Sequence, residues 1–407
     1  MNTDTTRQPQ VEVARASRWN VLSLFTFAHF AEHLATALLT PLLPFIRAEF
    51  GLSYFQAGLV LSAHAIVSGV ANLPAGWLAD RVSLRWMMGV SMGGTTLATL
   101  AIGAVAGFWP LLALVTATAI FSGSYHPVAT SFLSSYFRAG QRGRALGFHL
   151  IGGSLGTTVA PLLGGVIAEL LGWRYAFVFL AIPGLASVPF YFRLRLDRGQ
   201  LPEEAARSTA STTSATAGTA PSLVQSLRSI ALIFSLFTAM QLITVGVTSL
   251  LPVFLVDERL VAPAAAAMML ALIRGGGLPG GPLGGWASDR LGRKGTVILS
   301  LVATGPLLLS VVLLPVGAGL MAAMLALGVF MQFKQPAIQS LVAEAAPPGR
   351  LSTMLGFYFF FSSEVRSLMV PVIGLSMDLF GLAPTFTGLG VAAVGLSIAA
   401  LLLRRRA

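Results

Sequence analysis

Runs of about twenty or more mainly apolar residues follow one another along almost the whole chain, and no other feature narrows its fold as much. A bilayer hydrocarbon core is about 30 Å thick and takes roughly 20 residues per helical crossing. Backbone groups in lipid must be paired within the segment, so such runs cross as helices. The composition agrees: 55% of the 407 residues are hydrophobic, only 10% are charged, and the mean hydropathy is +0.79. The chain reads as an all-α membrane protein.

Apolar runs bounded by charge, Gly or Pro predict helices over 19–46, 54–78, 84–106, 109–136, 142–170 and 173–194. After a break they resume over 223–256, 261–286, 294–316, 318–345, 351–378 and 382–403. This divides the chain into an N-terminal tail (1–18), a six-helix bundle (19–196), a linker (197–222), a second six-helix bundle (223–403) and a basic tail (404–407). The linker is rich in Ser, Thr and Ala, with Pro202, Glu203 and Glu204, and reads as flexible. The first eighteen residues are polar and lack the pattern of a cleaved signal, so the first helix is expected to stay as an anchor.

Positive charge supports the six-plus-six count. With both termini, the linker and the even-numbered turns in the cytoplasm, 20 of the 26 Lys and Arg residues lie inside. Arg47, Arg174 and Arg259 lie outside, and Arg274, Lys334 and Arg366 lie within helices. The expected site is therefore a bacterial inner membrane. The net charge of +11 does not point to nucleic acid, because the basic residues are scattered singly between apolar runs. Cysteine is absent, which excludes disulfides, thiolate metal sites and cysteine nucleophiles.

The two halves repeat at an offset of 209. Gly76-Trp-Leu-Ala-Asp80-Arg81 recurs as Gly285-Trp-Ala-Ser-Asp289-Arg290. Tyr125-His126-Pro127 maps onto Lys334-Gln335-Pro336, and Leu146-Gly147-Phe148 onto Leu355-Gly356-Phe357. Such a parallel repeat is expected to relate the bundles by a pseudo-two-fold axis along the membrane normal, with a substrate site between them near the midplane.

The stretch Gly285-Trp-Ala-Ser-Asp289-Arg290-Leu-Gly292-Arg293-Lys294 resembles the loop signature of the major facilitator superfamily. The first copy departs from it, with Ser83 and Leu84 where the second has Gly292 and Arg293. Ala28-His29-Phe30, Leu43-Pro44-Phe45 followed by Glu49-Phe50, and Tyr125-His126-Pro127 are similar to the fosmidomycin-resistance branch of efflux transporters. Gly152-Gly153, Gly156, Pro161 and Gly164-Gly165 resemble the glycine and proline pattern of antiporters in that superfamily, with Ala160 in place of the usual Gly. Ala119 stands near the place where many proton-coupled relatives carry Arg. The resemblance implies gating by Asp80, Arg81, Asp289 and Arg290, and a cavity lined by helices 1, 4, 7 and 10 with contributions from 2, 5, 8 and 11.

Charge inside a bilayer costs roughly 2.5–3.5 kcal/mol on insertion scales, so ionisable residues there need partners or a wet cavity. Glu32, Arg274, Lys334 and Glu364 all fall near the centres of predicted helices. Arg366 is about 200° around its helix from Glu364, so the two face different ways. All five histidines, His29, His33, His64, His126 and His149, fall in the first half. His29 and His33 share a helix face beside Glu32, a plausible proton-coupling group. Tyr125, His126, Gln241, Arg274, Lys334 and Glu364 are the expected substrate-binding residues. Spaced four apart, His29 and His33 could hold a metal, but the sequence supplies no convincing third and fourth ligand, and no metal site is expected.

The Gly-rich stretch around Gly275 to Pro282 lacks the Lys-Ser/Thr of a phosphate loop. No enzyme constellation and no nucleotide-binding domain are recognisable, so neither an enzyme nor a resident cofactor is expected and a gradient must drive any transport. The leading expectation is a monomeric, proton-coupled exporter of a small polar or anionic compound or drug, working by alternating access. The alternatives are an uptake symporter for a small organic anion and a non-transporting membrane sensor or assembly factor.

Overall fold

The computed structural model describes residues 18–79, 82–137, 139–193, 223–345 and 367–404. The expected N-terminal tail up to residue 17, the linker 197–222, Asp80, Arg81, Glu364 and Arg366 lie outside the described residues, as does most of the eleventh predicted helix. The first half contains α1 (Arg18–Thr36), α2 (Leu39–Phe50), α3 (Tyr54–Ala79), α4 (Leu84–Ile102), α5 (Phe108–Gly123), α6 (Tyr125–Tyr136), α7 (Ala139–Leu171) and α8 (Trp173–Arg193). The second contains α9 (Leu223–Asp257), α10 (Pro263–Leu291), α11 (Arg293–Leu313), α12 (Ala318–Phe333), α13 (Gln335–Ala345), α14 (Met369–Phe380) and α15 (Leu382–Arg404). No strand occurs among the described residues.

Among the described residues fifteen helices serve twelve segments, because three segments break. The first breaks at Ala37 and Leu38, the fourth at Ser124 and the tenth at Lys334. Pro127 and Pro336 explain the last two: proline has no N–H for the carbonyl four residues back, so Gly123 and Gln332 lose their ladder partners. Nine described stretches are long and apolar enough to cross a bilayer by length and composition. The third and eighth segments fall short because Gly, Ser and Thr replace bulk along α4 and α10, and those residues serve close packing instead.

The 209-residue repeat persists in three dimensions. Ser91 Oγ donates to the Phe121 carbonyl at 2.7 Å, and Ser300 Oγ donates to the Phe330 carbonyl at the same distance. Thr95 bonds back to Ser91 as Thr304 does to Ser300. Gly172 and Gly381 end corresponding helices with φ of 100° and 88°. Helix pairs repeat too: α4 lies on α8 as α11 lies on α15, and α3 on α5 as α10 on α12.

The halves meet along two crossings related by the same offset, α7 with α10 and α14 with α3. Small residues permit both. A Cβ added to Gly165 would lie 3.0 Å from the Ala267 Cβ, and one added to its counterpart Gly374 would lie 2.3 Å from the Tyr54 carbonyl. One added to Gly58, the counterpart of Ala267, would lie 2.7 Å from the Val370 carbonyl. At the end of the bundle away from the termini, Arg47 pairs with Asp257 at 2.5 Å and stacks 3.9 Å over the Tyr54 ring. The Tyr54 hydroxyl donates to Asp257 at 3.0 Å. Asp378 accepts the backbone N–H groups of Tyr54 and Phe55 at 2.9 and 2.8 Å, capping the start of α3 from the other half. These contacts tie the halves together at that end.

Two tests follow from this geometry. Gly374→Leu places a side chain against backbone that cannot retreat, so α3 and α14 must separate. Single cysteines introduced at that end, in a chain with none of its own, should label faster with a membrane-impermeant thiol reagent in the variant. Equal labelling would show that the crossing tolerates bulk. Leu260, the counterpart of left-handed Gly51, has φ 56° and is 88% exposed. A left-handed residue with a Cβ costs about 1–2 kcal/mol, offset in part by glycine's greater chain entropy. Leu260→Gly should therefore raise the thermal unfolding midpoint in detergent, by up to about 1 kcal/mol of stability.

Candidate functional site

Helix α1 carries His29, Glu32 and His33, and the breaks and crossings described above bring further groups to them. The fourth segment, bent at Ser124, sets Tyr125 and His126 against α1. The long helix α7 lies along α1 and adds His149. The approach is close because the facing residues of α7 are glycines: a Cβ at Gly152 would meet the Thr26 carbonyl at 2.2 Å, and one at Gly156 the Phe30 carbonyl at 2.4 Å.

The imidazoles form one cluster. Ring centroids are 4.7 Å apart for His29 and His33, 5.4 Å for His29 and His126, and 5.3 Å for His33 and His126. His149 stacks on His29 at 4.1 Å. Glu32 is buried at 2% exposure, with its Oε2 3.4 Å from His33 Nδ1 and 3.9 Å from His126 Nε2. The side chains of His33 and His126 are 27% and 40% exposed, so the cluster is buried on one side and open on the other.

Backbone carbonyls orient the inner histidines. His29 Nδ1 lies 2.8 Å from the His149 carbonyl, and His149 Nδ1 lies 3.2 Å from the Phe25 carbonyl. A carbonyl only accepts, so Nδ1 carries the proton in each ring and Nε2 keeps its lone pair. Tyr125 is fully buried and donates its hydroxyl to the same Phe25 carbonyl at 3.0 Å.

The second half presents a different surface. Lys334 stands at the break between α12 and α13, fully buried, with its Nζ 6.0 Å from the Phe237 ring centroid. Gln241 is buried one turn along α9 from Phe237. Arg274, on α10, is exposed within the molecule and lies within electrostatic reach of His33 in the other half. Asp289 and Arg290 are exposed at the end of α10, where Arg290 stacks on Trp286 at 4.3 Å. Of the expected site residues, folding gathers His29, Glu32, His33, Tyr125 and His126 in the first half. His149 joins them although its position in the chain gave no sign of it. His64 lies on α3, partly buried.

A sequence profile described as the Major Facilitator Superfamily matches residues 25–368. The chain is 27% identical over 191 residues to a probable L-galactonate transporter of Escherichia coli (strain K12), covering 47% of this chain and 42% of that protein. It therefore spans less than half the length of that relative. It is 24% identical over 382 residues to the fosmidomycin resistance protein of the same organism, covering 90% and 88% of the two chains. The crystal structure of a bacterial homolog of the human lysosomal transporter Spinster, in an inward-facing and unoccupied conformation, superposes with a TM-score of 0.77 at 18% identity, over 95% and 96% of the two chains.

The Phe25 carbonyl accepts from both Tyr125 and His149, so Tyr125→Phe leaves it partnered. The variant should lose only about 0.5–1.5 kcal/mol, the net value of one buried hydrogen bond, read as a small drop in the unfolding midpoint. A larger loss would mean that Tyr125 holds the cluster by more than this bond.

Proposed function

The chain belongs to the Major Facilitator Superfamily, and we propose that within this family of transporters it is a proton-coupled exporter of a small polar or anionic compound. One observation carries the reading. A buried carboxylate stands among four imidazoles on one half, while the other half carries two cations within its helices, Arg274 and the buried Lys334. Arg274 and Lys334 attract the anionic group of the cargo, with Gln241, Tyr125 and His126 as polar neighbours. Glu32, assisted by His29 or His33, takes the proton.

Exchange arises because the two ligands favour different charges of the same space. A charged Glu32 accepts a hydrogen bond from a polar donor of the cargo, and taking the proton weakens that acceptor and releases the cargo. The charge asymmetry of the loops supports an inner-membrane orientation with both termini in the cytoplasm. On that orientation, the end tied by Arg47, Asp257, Tyr54 and Asp378 is periplasmic. Asp289 and Arg290, with Asp80 and Arg81 beyond the described residues, act at the opposite gate. Two features favour export: the glycine face of α7 and a fosmidomycin resistance relative that matches along nearly its whole length.

Uptake of an organic anion by symport is the second reading. The relative whose name includes L-galactonate, a polyhydroxylated carboxylate, favours it. Whole cells separate the directions, since an exporter lowers retained cargo and a symporter raises it.

The mechanism is tested in proteoliposomes carrying a pH-sensitive dye. Galactonate and fosmidomycin serve as the first candidate cargoes. Arg274→Ala and Lys334→Met should each raise the half-saturating concentration about tenfold or more, the loss of one charge-assisted contact. Glu32→Gln should abolish cargo-driven proton movement while cargo still exchanges for cargo. Unchanged coupling in Glu32→Gln would remove that residue from the proton path.

A further inference from the structure

His29 and His33 alone make a poor metal site, because two imidazoles four residues apart leave half of a tetrahedral shell empty. Folding supplies the rest. His29, His33 and His126 each offer a ligand atom within 4.8 Å of the others. Glu32 Oε2 stands 3.4 and 3.9 Å from two of those rings. Donors about 2.1 Å from a tetrahedral zinc are roughly 3.4 Å apart, so the carboxylate is already near its place and the rings need to close by on the order of 1 Å.

Three further features fit an ion rather than a hydrogen-bonded network. His29 is 4% exposed, and its Nε2 is buried without a hydrogen-bond partner among the described residues. Its Nδ1 is held by the His149 carbonyl, the outer-shell arrangement that fixes a metal-binding histidine in the tautomer with a free Nε2 lone pair. Glu32 Oε2 is likewise buried and accepts no hydrogen bond. Finally, the floor of the cluster is Gly153: a Cβ there would lie 2.7 Å from His29 Nε2 and 2.6 Å from the His33 ring. The missing side chain leaves the space into which both rings point.

We infer that His29, Glu32, His33 and His126 form a binding site for a borderline divalent transition-metal ion, with Zn²⁺ as the type ion, open to the space between the halves through His33 and His126. Imidazole and carboxylate donors suit such an ion and not an alkali or alkaline-earth cation. The site does not rest on proton coupling or on the direction of transport. It does share donors with the proposed proton path, so ion and proton compete for the same lone pairs.

The test uses full-length protein, purified in detergent, with any polyhistidine tag cleaved and metals stripped by chelator. Zn²⁺ is titrated calorimetrically and Co²⁺ by its visible ligand-field bands. One ion per chain is expected, with intense Co²⁺ bands of four-coordinate nitrogen and oxygen ligation. The double variant His33→Ala, His126→Ala should bind about 100-fold more weakly. Gly153→Ala keeps all four ligands but displaces two rings, and should weaken binding about tenfold. A monodisperse elution profile shows that each variant is folded, and a Zn²⁺-induced rise in the wild-type unfolding midpoint gives a second readout. No stoichiometric binding to the wild type, or equal affinity in the double variant, overturns the site. Anion exchange that persists in EDTA alongside absent Zn²⁺ binding rejects the metal and leaves the transporter reading intact. Zn²⁺ binding without any anion flux does the reverse.

Discussion

The close crossing of α7 with α10, and of α3 with α14, is the contact on which the rest of the structure depends. Lipid provides no hydrophobic drive to press helices together, so association relies on close approach of backbones, and small residues are what allow it. Gly58, Gly165 and Gly374, with Ala267, meet that need at positions related by one offset. Because both crossings and the Arg47–Asp257–Tyr54 network lie toward one end, the halves are held together there. The histidine cluster lies on the first half and Arg274 on α10 of the second.

The repeat also shows how the two halves share a scaffold without sharing chemistry. Both bend their fourth helix just before a proline, and both tie their third helix to it by a serine hydroxyl on a carbonyl. The residue that follows the bend in the first half is Tyr125, a neutral group bonded within its own bundle. Its counterpart in the second half is Lys334, buried at the bend itself. Where the first copy of the loop motif has Ser83, in an extended conformation with φ −65°, the second has Gly292 at φ 74° and ψ 160°. That region is open essentially to glycine alone, so the departure between the two copies is a difference of backbone path as well as of side chain.

Much of this was legible in the chain. Apolar length gave the helices, arginine placement gave their parity, and the offset gave the symmetry that the paired hydrogen bonds now display. The cluster of His29, Glu32 and His33 was legible because a helix puts residues three and four apart on one face. What could not be read was long-range. His149 joins the cluster only because Gly152 and Gly156 let α7 lie against α1, and nothing in its own neighbourhood points there. Asp378 caps α3 across more than 300 residues of chain, a contact without a local signature. Leu260 in a left-handed turn is invisible to propensity, which would place a glycine there, as the first half does at Gly51.

The internal repeat provides its own control on whether the buried charges are scaffold. A charge at the centre of a bilayer costs roughly 2.5–3.5 kcal/mol on insertion scales, a large share of what holds any protein folded. If the fold required a carboxylate in the first helix, its counterpart would carry one too, yet Glu32 maps onto Gln241. If it required a cation at the bend of the fourth helix, Tyr125 could not stand where Lys334 does in the other copy. Each half thus demonstrates that a neutral residue satisfies the architecture at the position where the other half places a charge. The burial of Glu32 and Lys334 is a cost that the shared scaffold does not impose on both halves.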